Sequence, residues 1–184
     1  PWHLATHSSG LPLQPQAVFP TDIWDTYGQY SLADFYSELG QTKLSFDVGA
    51  QSQYSSFGLG LLGNVLTEKS EKTFEELLQE RVTDVLSMPS TVSVLTPNIK
   101  QKMAVGHSYL IPTYSHENAV FPASGSIKSS AQDMLRYLGA NMGMIDSPLY
   151  PAMQSTHVIA FNNGVGGLGQ GLGWWVKTIR NSSI

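Results

Sequence analysis

The spacing of apolar and polar residues along the chain predicts a succession of short helices separated by glycine- and proline-marked turns. Leu4 to Gln14 reads as the end of a helix running into a turn, where Gly10 permits a left-handed stop and Pro12 blocks continuation. Residues 14–30, with Pro15, Pro20 and Gly28, form a loop. Ser31-Leu32-Ala33-Asp34 is a capping-box-like start, after which Leu32, Phe35, Tyr36 and Leu39 fall on one helical face and Gly40 ends it. Leu44 to Gly49 is extended and ends in a turn. From Phe57 to about Thr67 the chain is apolar and studded with glycine, as in a buried helix. Thr73-Phe74-Glu75-Glu76 is a capping box, in which hydroxyl and carboxylate satisfy orphan amides reciprocally. Phe74, Leu77, Leu78, Val82 and Val85 form the stripe of the helix it opens, and Met88-Pro89 stops it.

The pattern from 89 to 124 is less regular. Thr91 to Leu95 alternates as a short strand, Ile99 to Val105 fits one or two helical turns, and Ser108 to Ile111 reads as another short strand. Ser130 caps a further helix with Asp133 at its third position, and Ala131, Met134, Leu135 and Leu138 line one face. Pro148 to about Ile159 predicts one more helix, with Pro148 or Pro151 in its first turn. A loop with Gly164, Gly166, Gly167 and Gly169 comes next, and Gly171 to Val176 reads as a strand. The expected class is therefore mainly α with a few short strands.

Composition narrows the partners. The 184 residues suit one domain, or one and a part, and 41% hydrophobic content supports a sizeable core. Only 13% are charged, about half the usual share of ~25%. This fits either a surface partly covered by another domain or one rich in Ser, Gln and Asn. A net charge of −4, with no basic run, argues against nucleic acid as a partner. The absence of cysteine excludes disulfides and any cysteine-ligated zinc or iron–sulfur site. No apolar run approaches the ~18 residues of a membrane span. Pro1-Trp2-His3-Leu4 shows neither a basic leader region nor a cleavage site.

The stretch that organises the rest is Tyr54-Ser55-Ser56-Phe57-Gly58-Leu59-Gly60-Leu61-Leu62-Gly63, a polar tyrosine at the mouth of an apolar helix. It resembles the second catalytic motif, Tyr-x-Asn, of the serine β-lactamase and penicillin-binding family in its class C branch. Three further blocks are similar to runs of that family and occur in its order: Leu4 to Gln14, with Ala5-Thr6-His7-Ser8-Ser9-Gly10-Leu11-Pro12; Ser124 to Leu138, with Ser129-Ser130 before Asp133-Met134; and Gly171-Leu172-Gly173-Trp174. The resemblance implies an α/β fold with an inserted helical domain. Residues 1–184 are then expected to be that helical domain with short flanking pieces of the α/β domain.

The resemblance also implies a chemistry. The family opens β-lactams, peptides or esters by attack of a serine that needs a base within hydrogen-bond reach. Serine and lysine lie one helical turn apart as Ser-x-x-Lys, and the motif tyrosine shuttles protons. A phenol with an ordinary pKa near ~10 serves only if cations lower it or the lysine shares the load. None of Lys43, Lys69, Lys72, Lys100, Lys102, Lys128 and Lys177 has a serine three residues before it. No Lys-Thr-Gly or His-Thr-Gly occurs, since Ile179 succeeds Lys177-Thr178. The expectation is a chain cut from a longer one on both sides and inactive alone. The parent would act on small-molecule or peptidoglycan-like substrates, be periplasmic or otherwise exported, and need no cofactor.

Tyr54 is then the one intact catalytic residue. Ser56 takes the place of the motif asparagine, whose amide both donates and accepts; a hydroxyl does both but is shorter. Gln14 matches a substrate-lining glutamine of class C enzymes. From the residues alone, Tyr54 could simply cap a buried helix, and Ser56 could be its N-cap. The alternative function is a relative that keeps the fold and binds without turnover, and Ser56 is its motive.

Other signals do not develop. Gly58-x-Gly60-x-x-Gly63 fits a dinucleotide fingerprint but has no buried strand before it, and Gly164-x-Gly166-x-x-Gly169 precedes a strand where a helix is required. His3 and His7 lie four apart, a spacing that can chelate zinc, but Leu4 stands where His-Glu-x-x-His needs glutamate and no third ligand is identifiable.

Overall fold

The computed structural model describes residues 1–16, 30–108, 111–113, 120–162 and 168–177. The chain opens with α1 (Trp2–Ala5), which stops earlier than Gly10 because His7 already turns left-handed at φ 54°. Gly10 is left-handed too, at φ 78°, and a Cβ there would lie 2.3 Å from the Phe46 carbonyl oxygen. Only glycine lets the 44–46 segment come so close.

In α2 (Leu32–Gln41) the Ser31 hydroxyl accepts from Asp34 N–H while Asp34 accepts from Ser31 N–H. The helix runs one residue past Gly40 and ends on an extended Thr42. The long α3 (Ser56–Ser70) starts one residue before the expected Phe57 and is capped by Ser55, so Ser56 is its first helical residue and not its cap. It also outlasts Thr67, ending where Glu71 turns left-handed at φ 55° in the place usually taken by glycine.

The Thr73 capping box forms, and its amide and hydroxyl hold the Glu76 carboxyl below the ordinary glutamate range. The helix it opens is interrupted: α4 (Phe74–Leu78) passes through a π turn (Gln79–Thr83) into α5 (Asp84–Leu86). The wider turn takes up extra chain and rotates α5 about the helix axis. Leu86 is buried as a result, while Val85, the expected stripe residue, is exposed.

Thr91 to Leu95 is not a strand. Only Val92 pairs, with Lys128, in a single antiparallel bridge. Val92 N–H bonds Lys128 O and Thr91 N–H bonds Met88 O, and other donors in and beside this strap go to carboxylates. Buried Asp133 accepts from Ser90 N–H and the Thr91 hydroxyl, both at 2.8 Å, and Glu75 accepts from Ser93 N–H at 2.6 Å and Val94 N–H at 3.1 Å. Beyond it, α6 (Pro97–Lys102) is capped by Thr96, so the turn expected at Ile99 to Val105 begins and ends earlier. Of the expected strand at Ser108 to Ile111, Ser108 ends β1 (Gly106–Ser108) and Ile111 opens β2 (Ile111–Thr113), which pair antiparallel, while 109 and 110 lie outside the described residues.

Capped by Ser130, α7 (Ala131–Asn141) packs through Asp133, Ala140 and Asn141 and leaves Leu135 69% exposed on its other side. A shorter helix than expected, α8 (Tyr150–Thr156), has Pro151 in its first turn. The last element is an antiparallel sheet of β3 (Phe161–Asn162), β4 (Leu168–Gln170) and β5 (Trp175–Lys177), in that order. The expected strand from Gly171 is a turn up to Trp174, and β3 and β4 carry no clear alternation. Gly164, Gly166 and Gly167 lie outside the described residues.

Two apolar clusters result. Leu11, Phe35, Phe57, Val120 and Phe121 form the first, with Phe35 meeting Phe57 edge-on at 5.0 Å and Phe121 at 5.2 Å. Leu86, Met88, Ala140 and Met153 form the second. Two glycines of α3 allow close approach: a Cβ on Gly60 would lie 2.3 Å from Cδ1 of Phe121 in the first cluster, and one on Gly63 2.5 Å from Ala123 Cβ. Helix propensity alone would favour Gly60→Ala by about 1 kcal/mol. Overpacking a tight core costs about 1–3 kcal/mol. Gly60→Ala is therefore expected to destabilise the fold, with a lower urea midpoint at unchanged slope; a higher midpoint would contradict this packing.

Candidate functional site

The site is built on a seam between two irregular segments, residues 6–13 and 45–57. Ser45 N–H donates to Gly10 O, Gly49 N–H to Ser8 O, and Gln53 N–H to His7 O, each at 2.8 Å; Ser56 N–H donates to Leu13 O at 2.9 Å. Neither segment is a strand, yet each supplies the other's main-chain partners. Thr6, His7, Ser8 and Ser9 are buried along it. Polar side chains survive there because they bond locally: Thr6 Oγ1 with Ser8 Oγ at 2.8 Å, and His3 Nδ1 with the same Ser8 oxygen at 2.8 Å.

Ser55 locks the seam to α3. Its hydroxyl accepts from Gly58 N–H at 2.8 Å and donates to Pro12 O at 2.6 Å, while its own N–H donates to His7 Nδ1 at 3.1 Å. The residue before it, Tyr54, projects outward and is 48% exposed, so it does not cap a closed interior. Its ring lies against the His7 imidazole, with centroids 4.6 Å apart and planes at 39°. Ser56, at the first position of α3, is half-buried, and its amide joins Leu13. Gln14, the next residue along, is exposed. The seam thus gathers the backbones of Tyr54, Ser56 and Gln14 at one end of α3.

His7 belongs to this site, although the sequence marks it through its spacing from His3 and its place in the Ala5 to Pro12 block, and assigns it no role. The two histidines do not converge on a metal position: His3 bonds Ser8 and His7 bonds Ser55. No group of three or more His, Cys, Asp or Glu side chains able to hold a metal occurs among the described residues. The signal present in the sequence is a polar run, Thr6-His7-Ser8-Ser9, between apolar Leu4 and Leu11. Such a run is buried only if its groups find fixed partners.

Burial pushes the His7 imidazole below its ordinary pKa. The native state therefore binds fewer protons than the unfolded chain as the pH falls below the ordinary value of about 6.5. Stability contributed by neutral His7 is complete above that value and is lost as pH falls through the native pKa. His7→Asn tolerates φ > 0 and places an acceptor near the Nδ1 position, but does not titrate. Thermal midpoints from pH 7.5 to 5 are expected to fall less steeply in this variant; parallel curves would show that His7 is not the group responsible.

A family model described as Beta-lactamase matches residues 2–182. A β-lactamase of Yersinia enterocolitica is 29% identical over 176 residues, which cover 94% of this chain and 43% of that protein. The D-alanyl-D-alanine-carboxypeptidase/endopeptidase AmpH of Escherichia coli K12 is 26% identical over 186 residues, covering 94% and 46%. Among solved structures, a β-lactamase/D-alanine carboxypeptidase from Pseudomonas syringae superposes with a TM-score of 0.77 at 26% identity, over 95% of this chain and 47% of that one. A class C β-lactamase does so at 0.76 and 25% identity, over 94% and 46%. The chain spans less than half the length of these relatives. The match extends over nearly all 184 residues and includes the seam, α3 and the final sheet, and the chain belongs to the β-lactamase family.

Proposed function

We propose that the chain is the helical part of a class C-like serine hydrolase, with short flanking pieces of the α/β domain, and that Tyr54 is its proton shuttle. The parent would act on β-lactams or on D-alanyl-D-alanine-type peptides or esters through an acyl-enzyme. The observation that carries this reading is the half-exposed Tyr54 phenol at the start of α3, beside the backbone of Ser56 and near Gln14. A tyrosine kept only for packing would turn its ring inward.

The nucleophile and its lysine belong to polypeptide outside this chain, as does the Lys-Thr-Gly or His-Thr-Gly strand. Exposed apolar side chains support a covering partner: Trp2, Leu13, Leu44 and Val48 stand out from the seam and its flanks, Leu135 from α7, and Met142 just after it. The missing α/β half is the partner we assign to the seam side. Its lysine would sit by Tyr54 and exchange a proton with it as the serine attacks and the leaving group departs. Gln14 would line the substrate pocket. An exported protein fits this reading, and no helix among the described residues is long and apolar enough to cross a membrane.

The test uses the longer polypeptide. A β-lactam is expected to leave a covalent adduct visible by mass spectrometry, and Tyr54→Phe to lower turnover about 10²–10⁴-fold, the range for loss of a positioned acid–base group. The 184-residue segment alone is expected to turn over neither nitrocefin nor p-nitrophenyl esters. Absence of adduct and of ester hydrolysis in the long form would overturn the assignment.

Ser56 favours a second reading, a relative that binds without efficient turnover. Its side chain is too short to bridge substrate and lysine as an amide does. Restoring the motif by Ser56→Asn is expected to raise β-lactam hydrolysis at least about tenfold, the scale of one well-placed hydrogen bond. Unchanged rates in an active parent would remove the motive for this second reading.

A further inference from the structure

We propose that His7 is the positioning residue of Tyr54: one neutral histidine fixes the main chain on both sides of the tyrosine and walls its ring. This rests on the reading of Tyr54 as the proton shuttle. Gln53 N–H donates to the His7 carbonyl at 2.8 Å, and Ser55 N–H donates to His7 Nδ1 at 3.1 Å. Tyr54 therefore sits between two amides that end on the same residue. The imidazole also lies against the phenol ring at 4.6 Å, while the rest of the phenol faces outward.

His7 can do this because it is itself fixed. It is 6% exposed, its backbone is left-handed, and its N–H bonds Leu4 O at 3.3 Å. On either side, Thr6 O accepts the Ser52 hydroxyl at 3.1 Å and Ser8 O accepts Gly49 N–H at 2.8 Å. The Nδ1 lone pair takes the Ser55 amide, so the ring proton resides on Nε2. Protonating Nδ1 would set two N–H groups against each other, and the ring would have to leave Ser55. Since Ser55 is also the N-cap of α3, the tyrosine and the helix start would loosen together.

Few other charges bear on the ring. α1 contributes His3, which is bonded to Ser8, and the 42–56 segment contributes Lys43, Asp47 and Tyr54. The 171–174 turn, which reaches α1 through Gly173 N–H to Ala5 O, has no titratable side chain. Among the described residues no carboxylate pairs with His7 to hold it charged. Burial favours the neutral ring in the same direction.

The experiment uses the longer polypeptide. His7→Asn keeps the left-handed backbone and an acceptor but loses the ring. It is expected to lower kcat at least about tenfold with KM within about twofold, the pattern of a misplaced reacting group. It should also flatten the acid limb of the kcat profile. In a Tyr54→Phe background the same change should cost less than about twofold, because the two residues act as one unit. Nitrogen-15 NMR of the wild type should show His7 neutral with its proton on Nε2 at pH 7, and the Tyr54 ring signals should shift as His7 titrates. Equal losses from His7→Asn with and without Tyr54, or a proton on Nδ1 at pH 7, would overturn the proposal. Full activity in Tyr54→Phe alone would sink the proton-shuttle reading instead. NMR, which needs no turnover, would still decide whether His7 holds Tyr54.

Discussion

The structure depends on a run of main-chain hydrogen bonds between two segments with no regular structure. The bonds run one way, from amides of segment 45–57 to carbonyls of segment 6–13, at irregular intervals and without the two-way exchange of paired strands. A buried unpaired amide or carbonyl costs on the order of 1–3 kcal/mol, so losing several of these bonds together would outweigh any single side-chain contact nearby. The rest of the site is a consequence of that constraint. The start of α3 is set by Ser55 reaching across to Pro12 and His7, and the direction of Tyr54 is set by the residues on either side of it.

Helix starts are largely legible in the sequence, and for a local reason. Ser31, Thr73 and Ser130 each carry an acid three residues on, and each caps a helix. The start of α3 lies one residue from where the sequence puts it, because Ser55 and Ser56 are chemically equivalent caps. What separates them is Pro12 and His7, more than forty positions away, and no local pattern contains that information. The helix ends at Leu86 on a left-handed Ser87, just ahead of the expected stop at Met88-Pro89, and the π turn before it is not visible in the sequence. Phe74, Leu77, Leu78 and Val82 continue naturally to Val85 in an α-helix, and only the wider turn brings Leu86 inward.

Strands are the least legible elements. Thr91 to Leu95 alternates correctly, yet only Val92 N–H meets a facing carbonyl, that of Lys128; Thr91 N–H turns back to Met88 O, and the amides of Ser93 and Val94 are taken by Glu75. Alternation reports a half-buried extended chain and says nothing about what its amides bond to. Of the candidate-site residues, the sequence singles out Tyr54 through its likeness to a family motif, and its backbone lies with those of Ser56 and Gln14 at the start of α3. The role of His7 is not legible there, because it depends on a partner remote in sequence. On α7 and just after it, Leu135 and Met142 are exposed apolar side chains in a chain of low charge content.

Because the seam is written mostly in peptide groups, its geometry is largely indifferent to side-chain identity. Most positions along it can drift without breaking a rung, which accords with backbones that superpose at a TM-score of 0.77 while about three residues in four differ. The exceptions are few and can be named. Proline at 45, 49, 53 or 56 would delete a donor outright, any side chain at Gly10 would push the two segments apart, and the side chains of His7 and Ser55 carry cross-seam bonds of their own. Inheritance at this site is therefore expected to be strict at a handful of backbone-critical positions and permissive between them.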